Sequence, residues 1–220
     1  MRKQVVQYLH CPIHHAPLEL KIIDEADDGH VMVGRLMCPE GCEYSIVDGI
    51  PRLLPDSDAV VDGEDMSTLQ KATIERFGYE WRYFQDWGWL TDYPDIPDAE
   101  EKFYGGLLEN TRDAFWGKTL LETSDFTEGQ VVLDAGCGNG RFCGISAGTG
   151  AEIIGVDLGH GVVSAFENTR QLPNVHIIQG DLFRLPFAEH TFDIAYSIGV
   201  LMHTGNAEKA FESVGRCVKP

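Results

Sequence analysis

From residue 131 onward, short apolar runs alternate with segments of helical character. The runs VVLDA, EIIGVDL, VHIIQGD and FDIAYSI each have the length and the apolar content of a buried strand. The segments VVSAFENTR and NAEKAFESVGRCV have the pattern of helices. Because strands that alternate with helices are joined as parallel neighbours by right-handed crossovers, the sequence predicts an α/β fold with a doubly wound, mostly parallel Rossmann-like sheet. The alternation stops after the fourth run, which predicts a sheet truncated at that strand.

A glycine-rich turn follows the first run. Residues 131–142 are VVLDAGCGNGRF, with Asp134 inside the strand and glycine at every second position after it. Glycine lets the backbone approach a ligand closely, and ligands of such sheets bind at the carboxyl ends of the strands. Dinucleotide sites have the spacing G-x-G-x-x-G, and a carboxylate repels their pyrophosphate. The turn instead suits a ligand with a cationic amino-acid end, which disfavours a nicotinamide-dependent oxidoreductase.

These segments resemble the class I S-adenosylmethionine-dependent methyltransferases, of the type 11-like group. VLDAGCGNGRF is similar to their first motif, and IIGVDL and QGDLFRLPF are similar to the second and third. FDIAYSIGVLMHT followed by AEKAFESVGRCVKP is similar to the fourth. The resemblance spans about residues 125–220, and it implies that S-adenosylmethionine is the cofactor.

The resemblance also implies which residues contact the cofactor. Asp157 corresponds to the acid that binds the ribose hydroxyls, and Asp181 with Leu182 corresponds to the adenine contacts. From the residues alone, each aspartate could instead be a helix N-cap, the leucines could be core, and Cys137 is a small apolar residue rather than a nucleophile. The predicted cofactor-binding residues are Asp134, Gly136, Cys137, Gly138, Gly140, Asp157, Leu158, Asp181, Leu182 and Ser197.

His203 is the candidate general base, because it follows the fourth strand at the cofactor edge and histidine titrates near neutral pH. A packing or hydrogen-bonding role in that loop is an equally open alternative.

An aromatic zone precedes the first motif and contains all four tryptophans. Within it, the spacing of apolar residues predicts a helix over residues 69–84, and PDIPDAEE predicts a turn followed by a helix start near Asp98. We expect this zone to cover the cofactor and to line part of the acceptor site. Simple packing of helix faces is the alternative for most of its side chains.

The N-terminal residues contain two close pairs of metal-ligand side chains, Cys11-x-x-His14 and Cys38-x-x-x-Cys42. Zinc takes four nitrogen or sulfur ligands in a tetrahedron, so the pairs predict a structural zinc site. His15 could replace His14, and cysteines in an apolar core without metal are the alternative. LHCPIHHAPLEL and MCPEGCEYSIVDGIPRLLP also resemble the small zinc-ribbon modules of the methyltransferase-activator type. Because a structural zinc site is closed and non-catalytic, we expect the module to dock a protein partner or to brace the lid rather than to perform chemistry.

The sequence thus predicts four regions: a zinc-ribbon-like module at 1–54, an acidic linker at 55–68, an aromatic helical lid at 69–128 and an S-adenosylmethionine-binding domain at 129–220.

Composition favours a small-molecule methyl acceptor. The chain has 17 basic and 35 acidic residues, and the resulting net charge of −18 repels phosphate backbones and argues against a nucleic-acid partner. We expect an S-adenosylmethionine-dependent methyltransferase. Two alternatives stay open: a non-catalytic cofactor-binding or partner protein, and a methyltransferase that acts on tRNA or protein.

No apolar run approaches the roughly 20 residues that a membrane-spanning helix needs, and the N-terminus lacks the pattern of a signal peptide. The six cysteines are expected to be thiols or metal ligands. We therefore expect a cytoplasmic protein without membrane contact.

Overall fold

The computed structural model describes residues 1–54, 81, 83–92, 95, 97–102 and 106–220. The predicted linker over 55–68 lies outside these residues, and so does most of the predicted helix over 69–84. Trp81 and Tyr83, near the end of that helix, are helical. Among the described residues, none of the helices combines the length and the apolar character that spanning a bilayer requires.

The N-terminal residues form an antiparallel meander behind a 3-10 turn at Lys3–Tyr8. The four strands are β1 (Glu19–Glu25), β2 (Val31–Met37), β3 (Glu43–Val47) and β4 (Ile50–Leu53), and each pairs with the next. Buried and exposed side chains alternate along β3, so one face packs inward. β1 is exposed at nearly every position, as befits an edge strand.

The C-terminal residues form the predicted parallel sheet. Its strands are β5 (Val131–Ala135), β6 (Glu152–Asp157), β7 (Val175–Gly180) and β8 (Ile194–Tyr196). The helices are α1 (Ala99–Lys102), α2 (Leu108–Thr119), α3 (Arg141–Ala147), α4 (Gly161–Thr169) and α5 (Ala207–Arg216). β5 pairs with β6 and β8, and β6 pairs with β7, all in parallel. The predicted α/β class with a mostly parallel sheet is confirmed.

The two parts share one eight-stranded sheet of order β1-β2-β3-β4-β7-β6-β5-β8. β4 joins the parallel strands by pairing with β7, where Arg52 is opposite Gln179 and Leu53 is opposite Gly180. The Arg52 guanidinium also donates to the Gln179 side-chain oxygen over 2.9 Å. The N-terminal module is therefore an extension of the sheet rather than a separate body.

Side chains on the two faces of the parallel strands enter two different buried clusters. Leu133 and Ile154 face a cluster that includes Leu9 and Leu36 of the N-terminal module. Neighbouring residues such as Val132 point the other way, into a cluster formed with the helices. A parallel sheet needs both faces covered, and here the N-terminal module supplies part of one cover.

The fourth strand is shorter than the run FDIAYSI predicts. β8 ends at Tyr196. At the next position the contact with β5 is made by a side chain, since the Ser197 hydroxyl donates to the Ala135 carbonyl over 2.7 Å. Gly199 then turns the chain with a φ of 73°. These contacts end the ladder and direct the following loop along the carboxyl edge of the sheet.

Candidate functional site

A cavity of about 350 Å³ lies at the carboxyl ends of the parallel strands. Its walls come from the glycine turn after β5, from the ends of β6 and β7, from the loop after β8 and from Trp81. Trp81 belongs to the aromatic segment, by which we mean the described residues 81 and 83–92. This volume is within the range of small-ligand sites. Of the predicted cofactor residues, the lining includes Gly136, Cys137, Gly138, Asp157, Leu158, Asp181 and Leu182.

The turn after β5 requires glycine at two of its positions. Gly136 and Gly138 have φ values of 95° and 55°, in the left-handed region. A Cβ on Gly138 would lie 2.9 Å from the Trp81 ring, and a Cβ on Gly136 would lie 2.4 Å from Val200. The glycines therefore allow the aromatic segment and the loop after β8 to close on the cavity.

Asp157 lies at the end of β6 and is hydrogen-bonded to the backbone of the glycine turn. One carboxylate oxygen accepts from the Gly138 amide over 3.0 Å, and the other accepts from the Gly159 amide over 2.8 Å. Burial raises the pKa of this carboxyl above its usual value, against the lowering effect of these amide hydrogen bonds. Since each carboxylate oxygen can accept more than one hydrogen bond, the group can hold the turn and still bind ligand hydroxyls.

Asp181 follows β7, one strand further along the edge. Its carboxylate accepts from the Phe183 amide over 2.9 Å and so caps the 3-10 turn Leu182–Arg184. Burial raises its pKa, while the Phe183 amide and the cations Arg184 and Lys209 lower it. Asp181 therefore is an N-cap, as the alternative interpretation of the sequence predicted, and it lines the cavity as well.

Asp134 is placed differently from the expectation that it faces a cationic ligand. It is 1% exposed and is not among the residues that line the cavity. Its carboxylate accepts from the Cys143 thiol over 3.2 Å. The reason is its position inside the fully buried strand β5, from which the carboxylate contacts Cys143 of α3 instead of the cavity.

Burial raises the pKa of Asp134 to about 7, a rise that the Cys143 hydrogen bond opposes and the nearby charge of Asp157 reinforces.

Two further predicted residues also lie off the cavity wall. Gly140 begins α3 with a φ of 80° and packs against Ala165, and Ser197 is bonded to Ala135 as described above. Both support the turn and the strand that carry the cavity.

His203 lines the cavity from the 3-10 turn Leu201–His203, near the loop that follows β8. The side chain is exposed. The structure thus brings the candidate base to the same cavity as the glycine turn and the two strand-end acids.

The aromatic segment is held against the glycine turn by an asparagine that sequence analysis did not single out. The Asn139 amide donates to the Gln85 carbonyl over 3.0 Å and to the Trp87 carbonyl over 2.8 Å. Asn139 is 0% exposed, and a second asparagine, Asn168, donates to Gln85 as well over 2.9 Å. Asn139 lies between two glycines of the motif. An asparagine at this position could have indicated a side-chain hydrogen bond, but the sequence does not indicate which residue would be its partner.

The N-terminal cysteines and His14 form a compact cluster. The Nδ1 atom of His14 is 3.7 Å from the sulfur of Cys11, 3.6 Å from that of Cys38 and 3.5 Å from that of Cys42. Zinc–sulfur and zinc–nitrogen bonds of about 2.3 and 2.05 Å at tetrahedral angles place nitrogen and sulfur about 3.6 Å apart. Cys11, His14 and Cys42 form a group whose ligand atoms lie within 4.8 Å of one another and could hold a metal ion, and the sulfur of Cys38 also approaches His14.

Neighbouring groups favour the thiolate form of Cys11, the form that binds metals. Burial opposes ionisation, but hydrogen bonds from Tyr44 and from the backbone of His14 and Ile13 lower the pKa of Cys11 to about 7. The Tyr44 hydroxyl is 3.2 Å from the sulfur. A metal-ligating thiolate with an outer hydrogen-bond donor is the usual arrangement of structural sites.

A parallel sheet with a glycine turn and acids at successive strand ends defines the class of nucleoside-cofactor-binding Rossmann-like domains. Residues 133–220 match the family model described as a methyltransferase domain. This match confirms the resemblance of this part of the chain to the class I methyltransferases.

Three similar proteins illustrate the range of the relatives. The chain is 30% identical over 141 residues to a tRNA (carboxymethyluridine(34)-5-O)-methyltransferase of Arabidopsis thaliana, covering 60% of this chain and 33% of that protein. It is 28% identical over 142 residues to a sterol 24-C-methyltransferase of Pneumocystis carinii, covering 62% and 36%. A demethylmenaquinone methyltransferase of Corynebacterium kroppenstedtii is 31% identical over 114 residues, covering 52% and 48%. The chain thus spans between a third and a half of these relatives.

A solved structure supports the fold. A provisionally assigned sarcosine dimethylglycine methyltransferase from Galdieria sulphuraria superposes with a TM-score of 0.51 at 18% identity, covering 66% of this chain and 56% of that one. The likeness extends the parallel-sheet architecture to a protein of distant sequence.

Proposed function

We propose that this chain is an S-adenosylmethionine-dependent methyltransferase that acts on a small-molecule acceptor. The observation that carries the proposal is the lining of one cavity by the glycine turn, by Asp157 and by Asp181. The two carboxylates lie at the ends of adjacent strands, where they can accept hydrogen bonds from ribose hydroxyls and from an adenine amino group. Leu158 and Leu182 supply apolar walls beside them.

The bound cofactor supplies an activated methyl group, so the protein must mainly position the acceptor and exclude water. Trp81, Phe142 and Val200 line the cavity with apolar surface and serve this exclusion. For a hydroxyl or ammonium acceptor, His203 is the residue that takes the proton at a ring nitrogen, which contributes about 10²–10⁴-fold.

The relatives include tRNA, sterol and demethylmenaquinone methyltransferases, so they do not select one acceptor. The net charge of −18 favours a small molecule over a polyanion. A methyl transfer onto unfractionated tRNA that exceeds transfer onto a metabolite extract would replace this proposal with the macromolecular one.

The proposal extends to the N-terminal module, which we assign a structural zinc ion held by Cys11, His14, Cys38 and Cys42. Its outer strand β1 leaves Ile23 59% exposed, and this side of the module is the proposed surface for a protein partner. Thiol ligands of this kind suit a reducing compartment, and we place the protein in the cytoplasm.

The test is calorimetric titration of S-adenosylhomocysteine into the full chain and its Asp157→Ala variant. The wild type is expected to bind at one site, and the variant is expected to bind a hundredfold more weakly or not at all, because two charge-assisted hydrogen bonds are lost. Asp113→Ala, on the exposed side of α2, is the matched control and should bind like the wild type.

Since Asp157 also holds the glycine turn, Asp157→Asn is measured beside it, with the melting temperature of each variant. Equal affinity of the wild type and of both Asp157 variants would remove the ribose assignment. Binding without methyl transfer to any pool would instead identify a non-catalytic cofactor-binding protein.

A further inference from the structure

The cavity carries opposite charges on two of its walls. Asp157 and Asp181 line the side of the cavity formed by the ends of β6 and β7. Arg141 of α3 and Lys118 of α2 contribute positive charge to the lining of the same cavity. These two helices pack against each other. The chain has a net charge of −18, so its average composition does not lead us to expect two cationic side chains on one cavity.

The guanidinium of Arg141 is held in place by two aromatic rings. Its central carbon lies 5.2 Å from the centroid of the Trp81 ring and 4.8 Å from that of the Phe142 ring. Both rings line the same cavity. Stacking of this kind fixes the plane of the guanidinium while leaving its N–H donors at the edge free to bind.

Among the described residues, no hydrogen bond or ion pair engages the Arg141 guanidinium, and its recorded contacts are those with the two rings. Burial lowers the pKa of Arg141, and the charge of Asp134 opposes that effect without a hydrogen bond between them. A half-buried cation without an acceptor is unfavourable, and a ligand that brings an acceptor relieves that cost. The unpaired donors therefore point to an anionic group on the ligand.

We propose that Arg141, assisted by Lys118, forms a carboxylate-binding subsite of this cavity. The proposal rests on the proposed function, because it concerns the same cavity. A carboxylate matches the planar fork of the guanidinium with two parallel hydrogen bonds. A doubly charged phosphate would instead meet the repulsion of Asp157 and Asp181 across the cavity.

Two molecules could bring the carboxylate: the methyl acceptor, or the cofactor through its amino-acid end. The test separates them with pairs of probes in which one member carries a carboxylate and the other does not. S-adenosylhomocysteine has the amino-acid end, and 5′-methylthioadenosine lacks it. Benzoate and benzamide form a second pair, in which one carries the charge and the other does not.

Each probe is titrated into the wild type, Arg141→Gln, Arg141→Lys, Lys118→Gln and a control, Arg112→Gln, whose side chain is exposed on α2. Nucleosides are measured by calorimetry, and benzoate and benzamide by saturation-transfer NMR with and without S-adenosylhomocysteine. Melting curves confirm that every variant is folded.

If the acceptor supplies the carboxylate, Arg141→Gln weakens benzoate binding by about tenfold or more and leaves S-adenosylhomocysteine within twofold of the wild type. If the cofactor supplies it, Arg141→Gln weakens S-adenosylhomocysteine by that factor and leaves 5′-methylthioadenosine unchanged. Arg141→Lys recovers part of either loss, because it restores the charge but not the fork. Lys118→Gln weakens binding of the same probe by a smaller factor than Arg141→Gln does.

Unchanged binding of all charged probes in Arg141→Gln, with the wild type binding S-adenosylhomocysteine, overturns the carboxylate subsite and leaves the proposed function intact. If the wild type binds neither nucleoside, the proposed function fails. In that case, the benzoate titration without nucleoside still decides whether Arg141 binds carboxylates.

Discussion

The outer and inner strands of the single sheet are stabilised by different means. In β5 every residue is buried, whereas in β1 nearly every residue is exposed. The inner strands bury apolar side chains on both faces, which suffices to hold them. The outer strands belong to a meander of about fifty residues, which by itself buries too little surface for a stable core. The pairing of β4 with β7 and the apolar cluster shared with the inner strands compensate for part of that shortage, and the proposed zinc site accounts for the rest.

Of the predicted effects on stability, we expect that of metal removal to be the largest. We expect it to unfold the outer strands while the inner strands stay folded. Binding of a structural zinc contributes free energy directly to folding, of order 10 kcal/mol in small zinc modules. Treatment of the full chain with a strong chelator is therefore expected to abolish amide protection in β2 and β3 while β5 and β6 stay protected. Hydrogen exchange with mass spectrometry measures both regions in one experiment.

Cys38→Ser serves as the genetic counterpart, and Cys217→Ser, a buried cysteine of the inner region outside the cluster, is the control. One bound zinc ion per chain is expected in the wild type and in Cys217→Ser. Purified wild type without metal, and with β2 and β3 still protected, would contradict the assignment of the cluster.

The inner region was the more predictable of the two from sequence. Its strands, the glycine turn and the strand-end acids Asp157 and Asp181 follow from local patterns, because parallel strands must end at one edge. The spacing of the cysteines and histidines likewise indicated four candidate ligands. The side on which Asp134 points was missed, because a motif gives a position along a strand and not the direction of the side chain.

The contacts between the regions could not be predicted. The pairing of Arg52 with Gln179 joins residues far apart in sequence, and no local pattern specifies it. The same holds for Asn139 with Trp87 and for the stack of Arg141 on Trp81. The proposed division at residues 54, 68 and 128 stays a prediction, since much of the intervening chain lies outside the described residues.

A second prediction uses the buried carboxyl at the centre of the inner region. Burial raises the pKa of Asp134 from 3.8 to about 7 in the folded protein, so the folded state retains a proton that the unfolded chain has lost. Stability therefore falls as pH rises from about 4 to 7, and then levels off. The shift corresponds to up to about 4 kcal/mol.

Asp134→Asn removes this titration. Its free energy of unfolding, relative to the wild type, should rise between pH 4 and pH 7 in urea titrations and stay constant above that. A difference that does not vary with pH over this range would show that Asp134 titrates normally. Asp113→Asn, at an exposed site, is expected to show no such trend.

The third and smallest effect concerns the fastening of the aromatic segment to the inner region. Asn139→Ala removes one hydrogen-bond donor from each of the Gln85 and Trp87 carbonyls, at a cost of about 1–3 kcal/mol. We expect faster hydrogen exchange in residues 83–92 and weaker binding of S-adenosylhomocysteine, with little change in β5 and β6. Asn168→Ala, which removes only one of these donors to the segment, should have the smaller effect.

The central claim is that the ends of β5, β6 and β7 together form an adenosyl site. A crystal structure of the full chain with S-adenosylhomocysteine tests it most directly. The account predicts ribose oxygens within about 3.2 Å of the Asp157 carboxylate and the adenine beside Asp181 and Leu182. Nucleoside density elsewhere on the molecule, with this cavity closed by Trp81, would contradict it.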